Sequence, residues 1–234
     1  MDASREGHLG AAFVMHDADV EALDRLLKDF GDEIEYTITG KDGISLTFTD
    51  LNKLQAFENP RKKRIVKFSA RVISREPYRR AYLSLDSHWT HNVYLYIEGS
   101  QHMTTKLNER LSTWLDGMRP WYWWLARGNP VTLSILVALL VFVLFLEVSW
   151  TFGPTSRELP LKSGLSLAVA ISVIPGGILW LAWTGLMKGF PAGVFATGQG
   201  KRRHDLYDKL RWIAVIGFPL SIIASVIAAA IYGQ

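Results

Sequence analysis

The segment Ile65–Ser74 reads IVKFSARVIS, and its alternation decides the fold of the N-terminal part of the chain. Every second residue from Val66 to Val72 is apolar, and the residues between them are polar. A period of two predicts a β-strand with one face buried and the other in water. Such a strand is typical of an antiparallel sheet that carries helices on one face.

Two predicted hairpins flank this strand. On its N-terminal side, residues 34–38 and 44–48 alternate in the same way around the turn sequence GKDG. On its C-terminal side, residues 82–86 and 92–98 form a second pair of alternating segments. Short alternating segments joined by turn residues predict antiparallel hairpins, so the sheet has about five strands.

Three segments predict helices around this sheet. Residues 17–30 and the segment that follows Ser100 place apolar residues at helical spacing, and Asp50 is a suitable cap for a short helix over residues 51–57. The resulting order is α-β-β-α-β-β-β-α. It predicts an α+β domain over residues 12–118, with a mostly antiparallel sheet and helices on one face.

The first eleven residues are polar and show no periodicity. Residues 1–11 are therefore predicted to be a disordered N-terminus, and they contain no apolar core of a signal peptide. The chain has no cysteine, which excludes disulfides and thiolate metal sites.

The second half of the chain contains three long uncharged runs. A bilayer core is crossed by about 20 helical residues, so these runs predict transmembrane helices over about 129–150, 164–187 and 211–232. Residues 119–234 would then form a three-helix transmembrane module that follows the α+β domain.

Charge predicts the orientation of this module. The net charge is +4, and lysines and arginines are concentrated in the loop 188–210. Positive loops stay in the cytoplasm, which predicts a cytoplasmic α+β domain, a C-terminus outside, and a bacterial inner membrane as the location. Aromatic residues near the ends of the runs fit an interfacial belt.

Nine basic residues are candidates for contact with lipid headgroups or phosphate. The segment Thr197–His204 reads TGQGKRRH, but it lacks the first glycine and the final Ser/Thr of a phosphate-binding loop, so lipid contact is favoured there. Other basic residues lie on the predicted strand 65–74 and in the segment before it. They either bind an acidic partner, a phosphate-bearing ligand or the membrane surface, or they form an ordinary solvated side of the sheet. The nine candidates are Arg61, Lys62, Lys63, Arg64, Lys67, Arg71, Lys201, Arg202 and Arg203.

Two further sets of residues concern the predicted membrane module. Small residues at every fourth position predict close packing of the third helix, and Glu147 is either an interfacial acid or a functional acid within the membrane. The packing residues are Gly217, Ser221, Ser225 and Ala229.

Motifs for catalysis are lacking in the sequence, so no enzyme, no catalytic residue and no cofactor is predicted. His88, His91 and His102 lie near Glu98, but they are interpreted as surface histidines and no metal site is predicted. The expected function is that of an integral membrane protein with a sensing or protein-interaction domain on an oligomerising module. The alternative is an oligomeric pore gated by the domain.

The expected partners follow from these interpretations. They are a bilayer with anionic headgroups, further copies of the chain, and a cytoplasmic protein or phosphate-bearing ligand. Nucleic acid is not expected, because the basic excess lies between apolar runs.

Overall fold

The computed structural model describes residues 2–75, 77–87, 92–124 and 189–232. Within them, six strands form one antiparallel sheet, in the order β1-β7-β6-β5-β3-β4. A two-stranded parallel sheet pairs β2 with β8. The strands are β1 (Asp2–Leu9), β2 (Phe13–His16), β3 (Glu33–Gly40), β4 (Ser45–Phe48), β5 (Ile65–Ser74), β6 (Arg79–Asp86), β7 (Val93–Ser100) and β8 (Gly193–Ala196).

Four α-helices and one short 3-10 helix accompany the sheets in the described residues. They are α1 (Asp17–Lys28), α2 (Leu51–Gln55), the 3-10 helix Arg61–Lys63, α3 (Gln101–Gly117) and α4 (Gln199–Tyr232). Helices α1 and α3 lie on one face of the six-stranded sheet, where Leu23, Leu107 and Leu111 are buried with Phe68 and Val72 in one core. Burial of these apolar surfaces is the main driving force for this fold.

The predicted α+β class with a mostly antiparallel sheet is confirmed. Strand β5 alternates as its sequence indicates, with Phe68, Ala70 and Val72 no more than 1 % exposed and with Lys67 exposed. Asp50 caps α2 by accepting a hydrogen bond from the backbone N–H of Asn52 at 2.9 Å. The strand count was too low, because the sequence indicated none of β1, β2 and β8.

The prediction of a disordered N-terminus over residues 1–11 is wrong for Asp2–Leu9. These residues form β1, which pairs antiparallel with β7 along its whole length, from Asp2 opposite Ser100 to Leu9 opposite Val93. The strand was missed because its sequence is polar and lies at the edge of the sheet. Main-chain hydrogen bonds to β7, rather than an alternating apolar face, hold it there.

The predicted three-helix transmembrane module is contradicted. Among residues 2–75, 77–87, 92–124 and 189–232, no helix is long and apolar enough to cross a membrane. The run 211–232 is the second part of α4, which begins at Gln199 with a strongly charged segment, so the run is not a separate apolar helix. The other two predicted helices, 129–150 and 164–187, lie outside the described residues.

The chain after Pro191 belongs to the same compact unit as the chain up to Trp123. Strand β8 pairs with β2, and the backbone N–H of Phe13 donates to the carbonyl oxygen of Ala192 at 2.8 Å. The predicted division of the chain at residue 118 remains a prediction. In the structure, however, β8 and the charged part of α4 pack against the predicted α+β domain.

Candidate functional site

The turn between α2 and β5 is built around Asn59, which is 1 % exposed and has a φ of 50°. Asparagine tolerates this left-handed conformation better than most residues. Its Oδ1 accepts a hydrogen bond from the backbone N–H of Ile65 at 2.9 Å, and its Nδ2 donates to the carbonyl oxygen of Phe195 at 3.0 Å. One side chain thus connects the start of β5 to the end of β8.

The start of α4 is attached to the same turn by three more hydrogen bonds. The backbone N–H of Gln199 donates to the carbonyl oxygen of Glu58 at 2.8 Å, and Gln199 Nε2 donates to the Glu58 carboxylate at 3.1 Å. Arg203 Nη2 donates to the carbonyl oxygen of Asn59 at 2.8 Å. These contacts fix the orientation of the first turns of α4.

Two glycines allow this close approach. A Cβ atom at Gly198 would lie 2.7 Å from the carbonyl oxygen of Glu58, and a Cβ at Gly200 would lie 2.5 Å from that of Phe195. Gly198 also has a φ of 50°, which favours glycine. The glycines of the segment TGQG therefore serve backbone packing, in agreement with its failure as a phosphate-binding loop.

Two basic segments that are far apart in sequence meet at this turn. The 3-10 helix and the residue after it carry one group, and the start of α4 carries the other. Within the described residues, no carboxylate forms an ion pair with any of them. We call this set the basic cluster, and it consists of Arg61, Lys62, Lys63, Arg64, Lys201, Arg202 and Arg203.

Arg203 is the most enclosed member of the basic cluster. Partial burial lowers the pKa of its guanidinium, and the neighbouring charges of Arg64 and Arg61 lower it further. Like charges held together in this way repel one another, and a bound anion would relieve the repulsion. The positive end of the α4 dipole lies at the start of that helix, and it also favours a bound anion.

The sequence predicted that Lys67 and Arg71 lie on the solvated face of their strand and could join residues 61–64 in one patch, and the structure places them on the open face of β5. There Arg71 lies opposite Glu35 of β3, and Lys67 lies opposite Asp86 of β6. They line a shallow depression of about 360 Å³ together with Thr37, Ser69 and Tyr82. Each of these two bases therefore has an acid opposite it on the neighbouring strand.

The open face also carries a group of aromatic rings that the sequence analysis did not single out. The rings of Tyr82 and Tyr94 are 5.8 Å apart, and those of His8 and Tyr94 are 4.8 Å apart. The Arg80 guanidinium lies 5.9 Å from the ring centre of Tyr96. The signal was present as tyrosines at outward-facing positions, one in β6 and two in β7, but only the strand order brings the rings together.

A second cavity, of about 200 Å³, lies where α4 meets the start of α1 and the segment after α3. The rings of His16 and His204 are in contact there, with 5.9 Å between their centres. Trp121 Nε1 donates to the Asp208 carboxylate at 3.0 Å, and its ring stacks on Trp212 at 4.5 Å. We call this region the histidine junction.

The remaining predicted site residues divide into two groups. Gly217 lies on α4, and a Cβ atom there would meet nothing within 4 Å, so close packing at this position is not seen within the described part of the chain. The side chains of Ser221, Ser225 and Ala229 are not described, and Glu147 lies outside the described residues. Whether the stripe packs against another copy of the chain remains a prediction.

Neither a metal-binding cluster among the described residues nor a similarity to known proteins indicates a function. Within the described residues, no group of three or more histidine, aspartate or glutamate side chains is arranged to hold a metal ion; His88 and His91 lie outside them, and His102 is exposed on α3. Comparison with known proteins finds no matching protein family, no similar curated protein and no similar solved structure.

Proposed function

We propose that this protein is a sensing protein that binds a phosphate-bearing ligand at the basic cluster. The observation that carries the proposal is the meeting of Arg61–Lys63 and Arg64 with Lys201, Arg202 and Arg203 at the Asn59 turn. The predicted sensing role and the predicted phosphate contacts are thereby assigned to a single site.

The chemistry of the cluster favours a multiply charged anion such as a phosphate over a single carboxylate. Three guanidinium groups, those of Arg61, Arg64 and Arg203, lie near one another, and guanidinium groups bind phosphate oxygens in a two-pronged geometry. The four further cations around them favour a ligand with more than one negative charge. A phosphomonoester or a pyrophosphate group meets both requirements.

The placement of the cluster gives binding a structural consequence. Four of its seven residues precede β5, and the other three belong to α4. A phosphate that bridges Arg61 or Arg64 to Arg203 would stabilise the docked position of α4, because a ligand stabilises the state that it binds. The position of α4 would then depend on the ligand concentration.

The first experiment measures binding of inorganic pyrophosphate to the purified chain by isothermal titration calorimetry. We expect saturable binding that weakens as salt is raised, because salt screens exposed charges. Arg203→Gln and the double variant Arg61→Gln/Arg64→Gln should each weaken it by about tenfold or more, since hydrogen bonds to charged groups contribute about 1.5–3 kcal/mol. The matched control is Arg25→Gln, which removes an exposed arginine of α1 outside the cluster.

A second arm distinguishes the source of the phosphate. Vesicles of phosphatidylglycerol and of phosphatidylcholine are compared in a flotation assay with the same variants. Binding of pyrophosphate alone identifies a free phosphate compound, and binding of phosphatidylglycerol vesicles alone identifies a headgroup. If neither binds, or if Arg25→Gln loses as much affinity as Arg203→Gln, the proposal is wrong.

A further inference from the structure

The histidine junction joins three parts of the chain at one point. His16 is the last residue of β2 and precedes α1, while His204 lies near the start of α4. Their rings meet nearly edge to face, with an interplanar angle of 74° and 5.9 Å between centres. The pair therefore lies directly on the contact that holds α4 against the α+β domain.

His204 is poorly prepared to carry a positive charge in this position. Its Nδ1 atom is buried and forms no hydrogen bond within the described part of the chain. Burial lowers the pKa of His204, and the nearby Arg211 lowers it further. Arg211 is itself buried and lies 4.6 Å from the ring centre of Tyr122, so it stays in place.

The charged groups around His204 come from several elements. Asp19 of α1 accepts a hydrogen bond from the backbone N–H of His16 at 2.7 Å, and Arg119, which follows α3, pairs with Asp116 at 2.7 Å. Burial and then Arg211 of α4 lower the pKa of His204, and His16 of β2 lowers it further. Asp208 and Asp205 of α4 raise this pKa, but they do not outweigh these effects.

We propose that the His16–His204 contact is a pH-sensitive latch, which holds the first turns of α4 on the α+β domain while His204 is neutral and releases them when His204 is protonated. Protonation places a cation in a half-buried cavity beside Arg211 and against a second imidazole. The favourable way to hydrate that cation is to separate the rings. Histidine suits this role because it is the side chain whose charge ordinarily changes between about pH 5 and pH 8.

The latch acts on the same helix as the basic cluster but at a different residue. Arg203 and His204 are adjacent, and Arg203 contacts the Asn59 turn while His204 contacts His16. Release at the junction would therefore move Lys201, Arg202 and Arg203 away from Arg61 and Arg64. Only this last consequence rests on the proposed function, and the latch itself does not require a ligand.

The test measures the distance between α1 and α4 directly. The chain has no cysteine, so Ala18→Cys and Leu206→Cys give two specific spin-label sites, and both positions are exposed. Double electron–electron resonance is recorded at about pH 8 and about pH 5, on either side of the usual histidine pKa of about 6.5. We expect one narrow distance at the higher pH and a broader, longer distribution at the lower pH.

Two variants decide whether His204 is responsible. His204→Gln cannot take up the proton and should keep the narrow distance at both values of pH. His102→Gln, which changes an exposed histidine of α3, should behave like the labelled chain that keeps both histidines. An unchanged distance in that labelled chain, or an undiminished response in His204→Gln, overturns the proposal.

If α4 does not dock in the His204→Gln variant, a second measurement still tests the proposal. The imidazole of His204 is titrated by nuclear magnetic resonance in the chain without substitutions. The latch requires its pKa to lie clearly below about 6.5. A value at or above that of His102 contradicts the latch, whatever the variant does.

Discussion

Asn59 Nδ2 donates a hydrogen bond to the carbonyl oxygen of Phe195 at 3.0 Å, although 136 positions separate the two residues in the chain. This contact brings the 3-10 helix and the start of α4 together. The basic cluster exists because of it.

Replacing Asn59 by alanine should lower the free energy of unfolding by about 2–4 kcal/mol. The substitution removes the bonds to Ile65 and Phe195, leaves buried backbone groups without partners, and puts alanine, which tolerates the left-handed conformation less well than asparagine, at a φ of 50°. Chemical denaturation measures the change. Asn59→Gly removes the same bonds without the conformational cost, so it should be the less destabilising of the two; the reverse order would contradict this account.

Two glycine-to-alanine substitutions should have opposite effects on stability. Gly200→Ala places a Cβ atom 2.5 Å from the carbonyl oxygen of Phe195, so we expect a loss of about 1–3 kcal/mol. Gly217→Ala meets no atom within 4 Å and lies inside a helix, so it should stabilise by about 0.5–1 kcal/mol. Thermal unfolding of both variants checks the pair.

The Gly217→Ala variant also tests the predicted small-residue stripe. If that stripe packs against another copy of the chain, alanine at this position should weaken self-association, as measured by analytical ultracentrifugation. Unchanged association together with increased stability would remove Gly217 from the predicted interface.

Replacing Tyr36 by phenylalanine should destabilise the core by about 1.5–3 kcal/mol. The hydroxyl of Tyr36 donates to the Asp24 carboxylate at 2.6 Å, and both residues are buried. Burial and this hydrogen bond raise the pKa of Tyr36. The loss is expected because a hydrogen bond to a charged group is removed and Asp24 keeps only Lys28 as its partner among the described residues. Tyr78→Phe, at an exposed position, should change the stability by less than about 0.5 kcal/mol.

Stability should fall when the pH is lowered from about 8 to about 5. The pKa of His204 is lower in the folded state than the usual value of about 6.5, so the unfolded chain takes up the proton first. The loss therefore begins as the pH falls below about 6.5 and continues toward the lower folded-state pKa. Denaturation midpoints across this range should be less dependent on pH in His204→Gln, and His102→Gln should keep the full dependence.

Some parts of the candidate site could be predicted from sequence, and others could not. The basic residues at 61–64 and 201–203 were found because charge is visible in a sequence. That these two segments meet in the fold could not be predicted. The alternation of Ile65–Ser74 predicted that Lys67 and Arg71 lie on the solvated face of the sheet, but the acids opposite them, Glu35 and Asp86, became apparent only from the register of the strands. The contact between His16 and His204 has no local signal, since it depends on the pairing of β2 with β8.

By itself, the sequence determined the class of the α+β domain and most of its strands and helices. Alternation in Ile65–Ser74 and helical spacing in Asp17–Lys28 are local properties, which each segment carries wherever it is placed. Tertiary structure alone decided that polar β1 is a strand and that the basic cluster and the histidine junction exist. Each of these depends on hydrogen bonds and buried contacts between residues that are far apart in the chain, and no local pattern records such contacts.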